Sequence, residues 1–305
     1  MQSAYIGKLM ELAERDRNVL HILADSGTGY DEMFRRNFPE QIYNFGICEE
    51  NMVAAAAGMA TVGKIPFVFT AGAFLAYRSL EFIRDDVCFQ NLNVKIVGMG
   101  SGLAWSSLGP THHTTEDIAV LRAIPNLMIL SPSTPRQVAA AMEIAYAHKG
   151  PVYIRIGMNH EKEFFEKDYR MEVSQCDVLR DGGHITVFTT GSILEEVISA
   201  ADLLKEDSIY VNVLNAGTMK PFDEAAVSHY AKSSSLLVTV EEHNIYGGLG
   251  SIVAEILAEN GIGTKLTRIG IRDVFASGYG THQAVRRANK LDAVSIYHQI
   301  REAVH

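Results

Sequence analysis

The residues able to do chemistry in this 305-residue chain gather in three stretches. The first is NFGICEENMVAAAAGMATVG (44–63). A strand expected to end at Ile47 hands over there to an alanine-rich helix beginning near Glu49 or Glu50. Glu49 thus falls at the carboxyl end of a sheet, where α/β proteins place ligands. The same acid in a first helical turn also complements the helix dipole with no chemistry required. Cys48, beside it, has no evident partner base and reads as a small buried residue. The second stretch, AFLAYRSLEFIRDDVCFQNLNVKIVG (73–98), sets Phe74, Tyr77 and Glu81 on one helical face. That face is either core or an aromatic wall for a flat heterocycle. The third, GSGLAWSSLGPTHHTTEDIAVLRAIPN (100–126), is a glycine- and serine-bearing loop with His112 and His113, ahead of a helix capped near 114–115. Histidines in such a loop suit proton transfer or hydrogen bonding to a substrate. His112, His113 and Glu116 are also a conceivable metal set. With no cysteine near and one well-spaced acid, no metal ligand is assigned.

These residues need a scaffold, and the chain alternates strand and helix patterns. Short apolar runs stand at 19–25, 64–71, 93–100, 126–132 and 151–157, with amphipathic stretches at 49–62, 73–89, 114–123 and 134–148. The alternation implies parallel strands with crossover helices, and runs apolar on both faces imply a sheet covered on both sides. The charged stretch 158–170 breaks the rhythm. The expected division is a first α/β domain over 1–160, a linker over 161–175 and a smaller α/β domain over 176–305. The second has strands at 184–191, 208–215, 236–242 and 265–271 and helices near 192–205 and 248–259. Arg180-Asp181-Gly182-Gly183 reads as a hairpin turn. Gly247-Gly248-Leu249-Gly250 lacks the full dinucleotide spacing and reads as close helix packing.

Bulk properties narrow the function classes. A net charge of −9 argues against nucleic acid as the main partner. Three scattered cysteines make a disulfide framework or zinc knuckle improbable and suit a reducing, cytoplasmic setting. The N-terminus lacks the form of a signal peptide, and no window is long and apolar enough for a membrane span.

Taken together, FGICEENM, QNLNVKIVG, GPTHHTTEDIAVLRAIPN, GPVYIRIG, TVEEHNIYGGLGSIVAEIL and RIGIRDVFASG resemble the transketolase family, in the family's order and over nearly the whole chain. The resemblance covers a pyrimidine-binding domain and the transketolase C-terminal domain. It omits the pyrophosphate domain that precedes them in full-length enzymes, and with it the Gly-Asp-Gly motif. It therefore implies the C-terminal subunit of a split, two-component transketolase. Such a subunit shares thiamine diphosphate with an N-terminal subunit that holds the diphosphate and Mg²⁺. It also implies homodimerisation within an α2β2 heterotetramer and transfer of a two-carbon ketol unit between small sugar substrates.

Residue by residue, the resemblance makes Glu49 of Gly46-Ile47-Cys48-Glu49 the acid that bonds the aminopyrimidine of the cofactor. Burial favours the neutral form of a carboxylic acid, which makes sharing a proton with a weakly basic ring nitrogen feasible. Phe74 and Tyr77 match the aromatic residues around that ring. His112 matches the histidine that hydrogen-bonds donor oxygens or shuttles protons, and His113 assists it. The chain departs from the pattern where ketose-phosphate enzymes carry charge. Leu108 replaces an Asp, Gly100 a histidine, Met158 an arginine, and Gln2 or Ser3 another. A donor or acceptor other than the usual sugar phosphate is expected, with a sugar nucleotide among the fitting acceptors. Competing readings are the β subunit of a 2-oxoacid dehydrogenase decarboxylase, a deoxyxylulose-phosphate synthase fragment, and a non-catalytic regulatory subunit.

Overall fold

A computed structural model describes residues 1–25, 29–158 and 161–304. Two sheets organise them. The first has seven strands: β1 (Val19–Leu23), β2 (Ile42–Asn44), β3 (Ile65–Ala71), β4 (Lys95–Met99), β5 (Met128–Leu130), β6 (Val152–Ile156) and a late arrival, β10 (Thr218–Lys220). The second has five: β7 (Asp177–Arg180), β8 (Ile185–Thr189), β9 (Val211–Asn215), β11 (Leu236–Asn244) and β12 (Lys265–Ile271). Strand order is β10-β5-β6-β4-β3-β1-β2 in one and β12-β11-β8-β9-β7 in the other. Only β10 against β5 and β7 against β9 are antiparallel. This is the expected fold class, a parallel-sheet pyrimidine-domain fold followed by a smaller α/β unit.

The central strands are buried at every position, because crossover helices cover both faces. On one face of the first sheet, helices Gln2–Arg15 and Pro135–Ala147 close an apolar layer with Phe67, Phe69 and Ile154. On the other, helix Glu49–Thr61 presents Met52, Val53, Ala56 and Ala57. Its alanines shorten the distance at which a helix can pack. That layer continues without a break into the second unit through Phe188, Leu214, Leu249 and Val253. β10 strengthens the junction by crossing back onto β5, with the Lys220 ammonium on the Arg122 carbonyl at 2.9 Å. The sequence division at 161–175 gave no sign of this crossing, because a three-residue strand carries little pattern.

Three local expectations are corrected. The strand before Glu49 ends at Asn44 rather than Ile47. Gly46, at φ +71°, turns the chain and leaves Ile47 exposed. The turn at Asp181-Gly182-Gly183 joins no hairpin. The strand before it, β7, sits beyond β9, and the one after it, β8, pairs with β9 and β11. The Asn212 amide clamps Gly183, accepting from its N–H at 2.8 Å and donating to its carbonyl at 3.0 Å. Residues 73–89 form no uniform helix. Phe74–Arg78 and Ile83–Cys88 are π-helical turns on either side of Leu80–Phe82. No helix among the described residues is long and apolar enough to cross a membrane.

Candidate active site

Glu49 opens its helix from an inward position and is 1% exposed. Its Oε2 accepts from the Arg78 guanidinium at 2.5 Å. Arg78 reaches it from the π-turn, whose extra residue per turn shifts the side chains from ordinary helical register. The same guanidinium lies over the Phe74 ring, 5.0 Å from its centroid. Phe74 meets His112 edge to face at 5.0 Å, and His112 approaches Trp105 at 6.4 Å. Glu49, Arg78, Phe74, His112 and Trp105 are thus joined in one run of side-chain contacts.

Tyr77 extends the wall. Its hydroxyl donates to Glu116 Oε2 at 2.8 Å and accepts from the Glu116 N–H at 2.9 Å. Tyr77 and Glu81 are exposed and Phe74 is half-buried, so this face is open and is not core. Cys48 is exposed, against the expectation that it is buried. Successive side chains in a helical turn diverge by about 100°, and Glu49 takes the inward direction. His112 is half-buried, with its Nδ1 2.9 Å from the Thr111 hydroxyl.

His113 parts from His112. It is 3% exposed, and neither ring nitrogen has a hydrogen-bond partner among the described residues. Burial lowers its pKa, while Glu242 raises it and His282 lowers it again. Its electrostatic neighbours are thus in the second unit as well as in its own loop.

The loop's departures have a structural counterpart. Gly100 is at φ +77°, and a Cβ there would stand 2.1 Å from the Trp105 indole nitrogen. The indole fills the space a side chain at position 100 would take. Leu108 is exposed, and the Met158 carbonyl and N–H are engaged by the N-terminal amine and by Glu161. Beneath the loop, Arg155 is fully buried and paired with Asp117, its Nε lying 3.1 and 2.9 Å from the two oxygens. Tyr153 donates to the same carboxylate at 2.7 Å. Gly247 packs against Ala119, leaving 2.6 Å for an added Cβ, in accord with close helix packing there.

Sequence reasoning missed Arg78, although it lies four residues after Phe74, the spacing that puts two side chains on one helical face. It also passed over Glu242. The signal available was a Glu-Glu-His run, Glu241, Glu242 and His243, inside an otherwise apolar strand, which is costly unless each group has partners.

A largely parallel α/β unit followed by a smaller α/β unit fits a pyrimidine-binding and C-terminal domain pair. Residues 1–159 match the transketolase pyrimidine-binding domain and residues 174–296 the transketolase C-terminal domain. The chain belongs to the transketolase family, and it is a transketolase-type transferase chain corresponding to the C-terminal subunit of split enzymes. It is 37% identical to a putative transketolase C-terminal section of Methanocaldococcus jannaschii, over 99% of this chain and 95% of that protein. It is 38% identical to one of the subunits of the apulose-4-phosphate transketolase of Actinobacillus succinogenes, over 92% and 90%. Among solved structures, a split-gene transketolase described as an inactive beta4 tetramer superposes with a TM-score of 0.89. That match has 33% identity and covers 99% of this chain and 97% of the other.

Proposed function

We propose that this chain supplies the pyrimidine-side half of a thiamine-diphosphate site and transfers a two-carbon ketol unit only with a partner subunit carrying the pyrophosphate domain. The observation that carries the reading is Glu49. It is a buried carboxylate whose partner is a half-exposed arginine lying on an aromatic ring. A flat, weakly basic heterocycle bearing an amino group suits those groups. It would bond the acid and stack on Phe74 once the guanidinium leaves. When bound, thiamine diphosphate supplies the thiazolium carbon that accepts the two-carbon unit, chemistry the protein positions rather than performs.

In this reading Glu49 holds a proton at the ring nitrogen, and Phe74 and Tyr77 fix the plane of the ring. His112, opposite Phe74, hydrogen-bonds the donor's oxygens or moves a proton to them. His113 shapes the loop from beneath instead of touching substrate. Diphosphate and Mg²⁺ are assigned to the partner. Two copies of each subunit would build two such sites about a two-fold axis. A relative described as an inactive tetramer of β chains supports dependence on a partner.

The substrate reading follows from the loop. Trp105 in the space above Gly100, and uncharged Leu108 and Met158 where the resemblance implies charged groups, support a substrate other than the usual sugar phosphate. A specialised ketose donor or acceptor is favoured, and one relative's name gives apulose-4-phosphate as its substrate. The test is reconstitution with a chain bearing the pyrophosphate domain, with and without Glu49→Gln. Turnover that depends on thiamine diphosphate and falls by about 10²-fold or more in E49Q is expected. Turnover without a partner, or undiminished in E49Q, would overturn the reading. Xylulose 5-phosphate emerging as the best donor would overturn the substrate part alone.

A further inference from the structure

The loop carrying His112 is held from the second sheet. Its neck closes where Gly102 and Thr114 exchange backbone hydrogen bonds of 3.0 and 2.8 Å. Glu242, on β11 and 1% exposed, reaches this neck. Its Oε1 accepts from the Leu103 N–H at 2.6 Å and lies 2.6 Å from His282 Nε2. Its Oε2 accepts from Arg286 Nε at 2.7 Å. The approach leaves no room at position 102, where a Cβ would stand 2.7 Å from Glu242 Cγ and φ is +61°. Arg155 ties the other side, donating to the Thr114 and Glu242 carbonyls at 3.1 and 3.0 Å. Farther along the loop, Ser106 donates to the Gly280 carbonyl at 2.8 Å, and Gly109 packs on the Tyr279 ring.

Two units that already share an apolar layer do not need an ion pair to stay together. Burying charge is expensive, and apolar packing would join them as well. What a carboxylate adds is direction, since it accepts only along its lone pairs and so fixes the Leu103 N–H. Burial pushes Glu242 up, but Arg286 and His282 together hold it well below the ordinary carboxylate range, so it stays ionised. Arg286 is itself fixed by the Ser192 carbonyl at 3.0 Å and by Glu196 at 3.4 Å.

We propose that Glu242, oriented by His282 and Arg286, is a positioning residue that sets loop 102–114 and so places His112 opposite Phe74. The second unit then takes part in the reaction by aiming a histidine carried by the first. The proposal rests on the reading of His112 given above.

Glu242→Gln is the direct variant, retaining shape but removing the charge and one acceptor oxygen. Glu241→Gln is its control. It is an adjacent buried acid that accepts instead from Leu249 and Gly250 N–H groups at 2.7 and 2.8 Å. Hydrogen exchange across 102–114 and ¹⁵N-histidine spectra are measured on the full chain, and kcat and KM on the reconstituted enzyme. E242Q is expected to speed exchange in the loop about tenfold and shift the His112 ring signals. It should also lower kcat about tenfold with a smaller change in KM, the scale of a slight misplacement of a reacting group. E241Q should leave the loop unchanged. Unaltered exchange and His112 signals in folded E242Q, or equal changes in E241Q, would overturn the proposal. Should E242Q not fold, His282→Gln at a half-buried position must show the same loop effect in smaller measure, and its absence counts against the idea. Normal kcat in His112→Ala would remove the reading of His112, while the exchange data still decide the anchoring.

Discussion

Replacing Arg78 by methionine removes the guanidinium that bonds Glu49 and keeps a stem to cover Phe74. In the chain alone, an incoming aminopyrimidine must break two contacts, the 2.5 Å bond to Glu49 and the cation–π contact at 5.0 Å. A hydrogen bond between charged groups contributes about 1.5–3 kcal/mol when buried. The Arg78 side chain is 40% exposed, so solvent screening reduces this to about 1 kcal/mol. The cation–π contact adds about 0.5 kcal/mol at such a site. The sum, about 1.5 kcal/mol, corresponds to roughly tenfold in affinity. Thiamine without its phosphates is the suitable probe, because the diphosphate is assigned to the partner. Calorimetric titration of the chain alone should give R78M a dissociation constant about tenfold lower than wild type.

The unliganded variant should also melt earlier. Glu49 then has no charged partner, and a buried acceptor left unmade costs about 1–3 kcal/mol. Saturating thiamine should restore more of the melting temperature in R78M than in wild type, since a tighter ligand stabilises more at the same concentration. Equal or weaker thiamine binding by R78M would refute the reasoning. It would mean that Arg78 helps to hold the ring instead of standing in its place.

In the reconstituted enzyme, Glu49→Gln should lower kcat by about 10²-fold or more, the usual range for a lost proton-transfer group, with the chain still folded by circular dichroism. Phe74→Ala should raise the cofactor dissociation constant about tenfold, the weight of one stacked ring, with a smaller effect on kcat. Asp117→Asn leaves the fully buried Arg155 without its ionic partner and should destabilise the chain by about 3–5 kcal/mol, read from the urea midpoint. Lys95 gives a pH test. It is fully buried, with its ammonium on the His148 and Gly150 carbonyls at 2.8 and 2.7 Å. Burial, and then the charge of Lys149, push it down to about 7. The unfolded chain binds that proton up to about pH 10, so the penalty is full below 7 and fades as pH rises from there. Wild type should therefore gain on Lys95→Met by up to about 1.4 kcal/mol per pH unit between 7 and 10. A gap that does not change with pH would refute it.

How much of this was legible beforehand depends on how each feature is encoded. The parallel strands were, because a strand covered on both faces is written as a mostly apolar run, and β1, β3, β4 and β6 are so written apart from His21, Thr70, Lys95 and Arg155. β5 falls inside the apolar run at 126–132 and β2 is the strand expected before Glu49, ending earlier than expected, whereas the three residues of β10 are too few for any period to appear and only their register with β5 makes a strand of them. Glu49, Phe74, Tyr77 and His112 stand in recognisable local sequence, and the fold links Glu49, Phe74 and His112 through Arg78 and ring contacts while Tyr77 bonds to Glu116. What remained hidden was relational. Arg78 is one more surface arginine until a π-turn swings it over Phe74 onto Glu49. Glu242 is an improbable strand residue until Leu103, 139 positions earlier, supplies the N–H it accepts. His113 shows the converse. Adjacency to His112 made it a natural candidate, but His112 closes a turn with its ring half-buried and His113, just after that turn, is buried. A pair of histidines adjacent in sequence thus takes two environments, one half-buried with its ring against Phe74 and one buried with neither ring nitrogen bonded among the described residues.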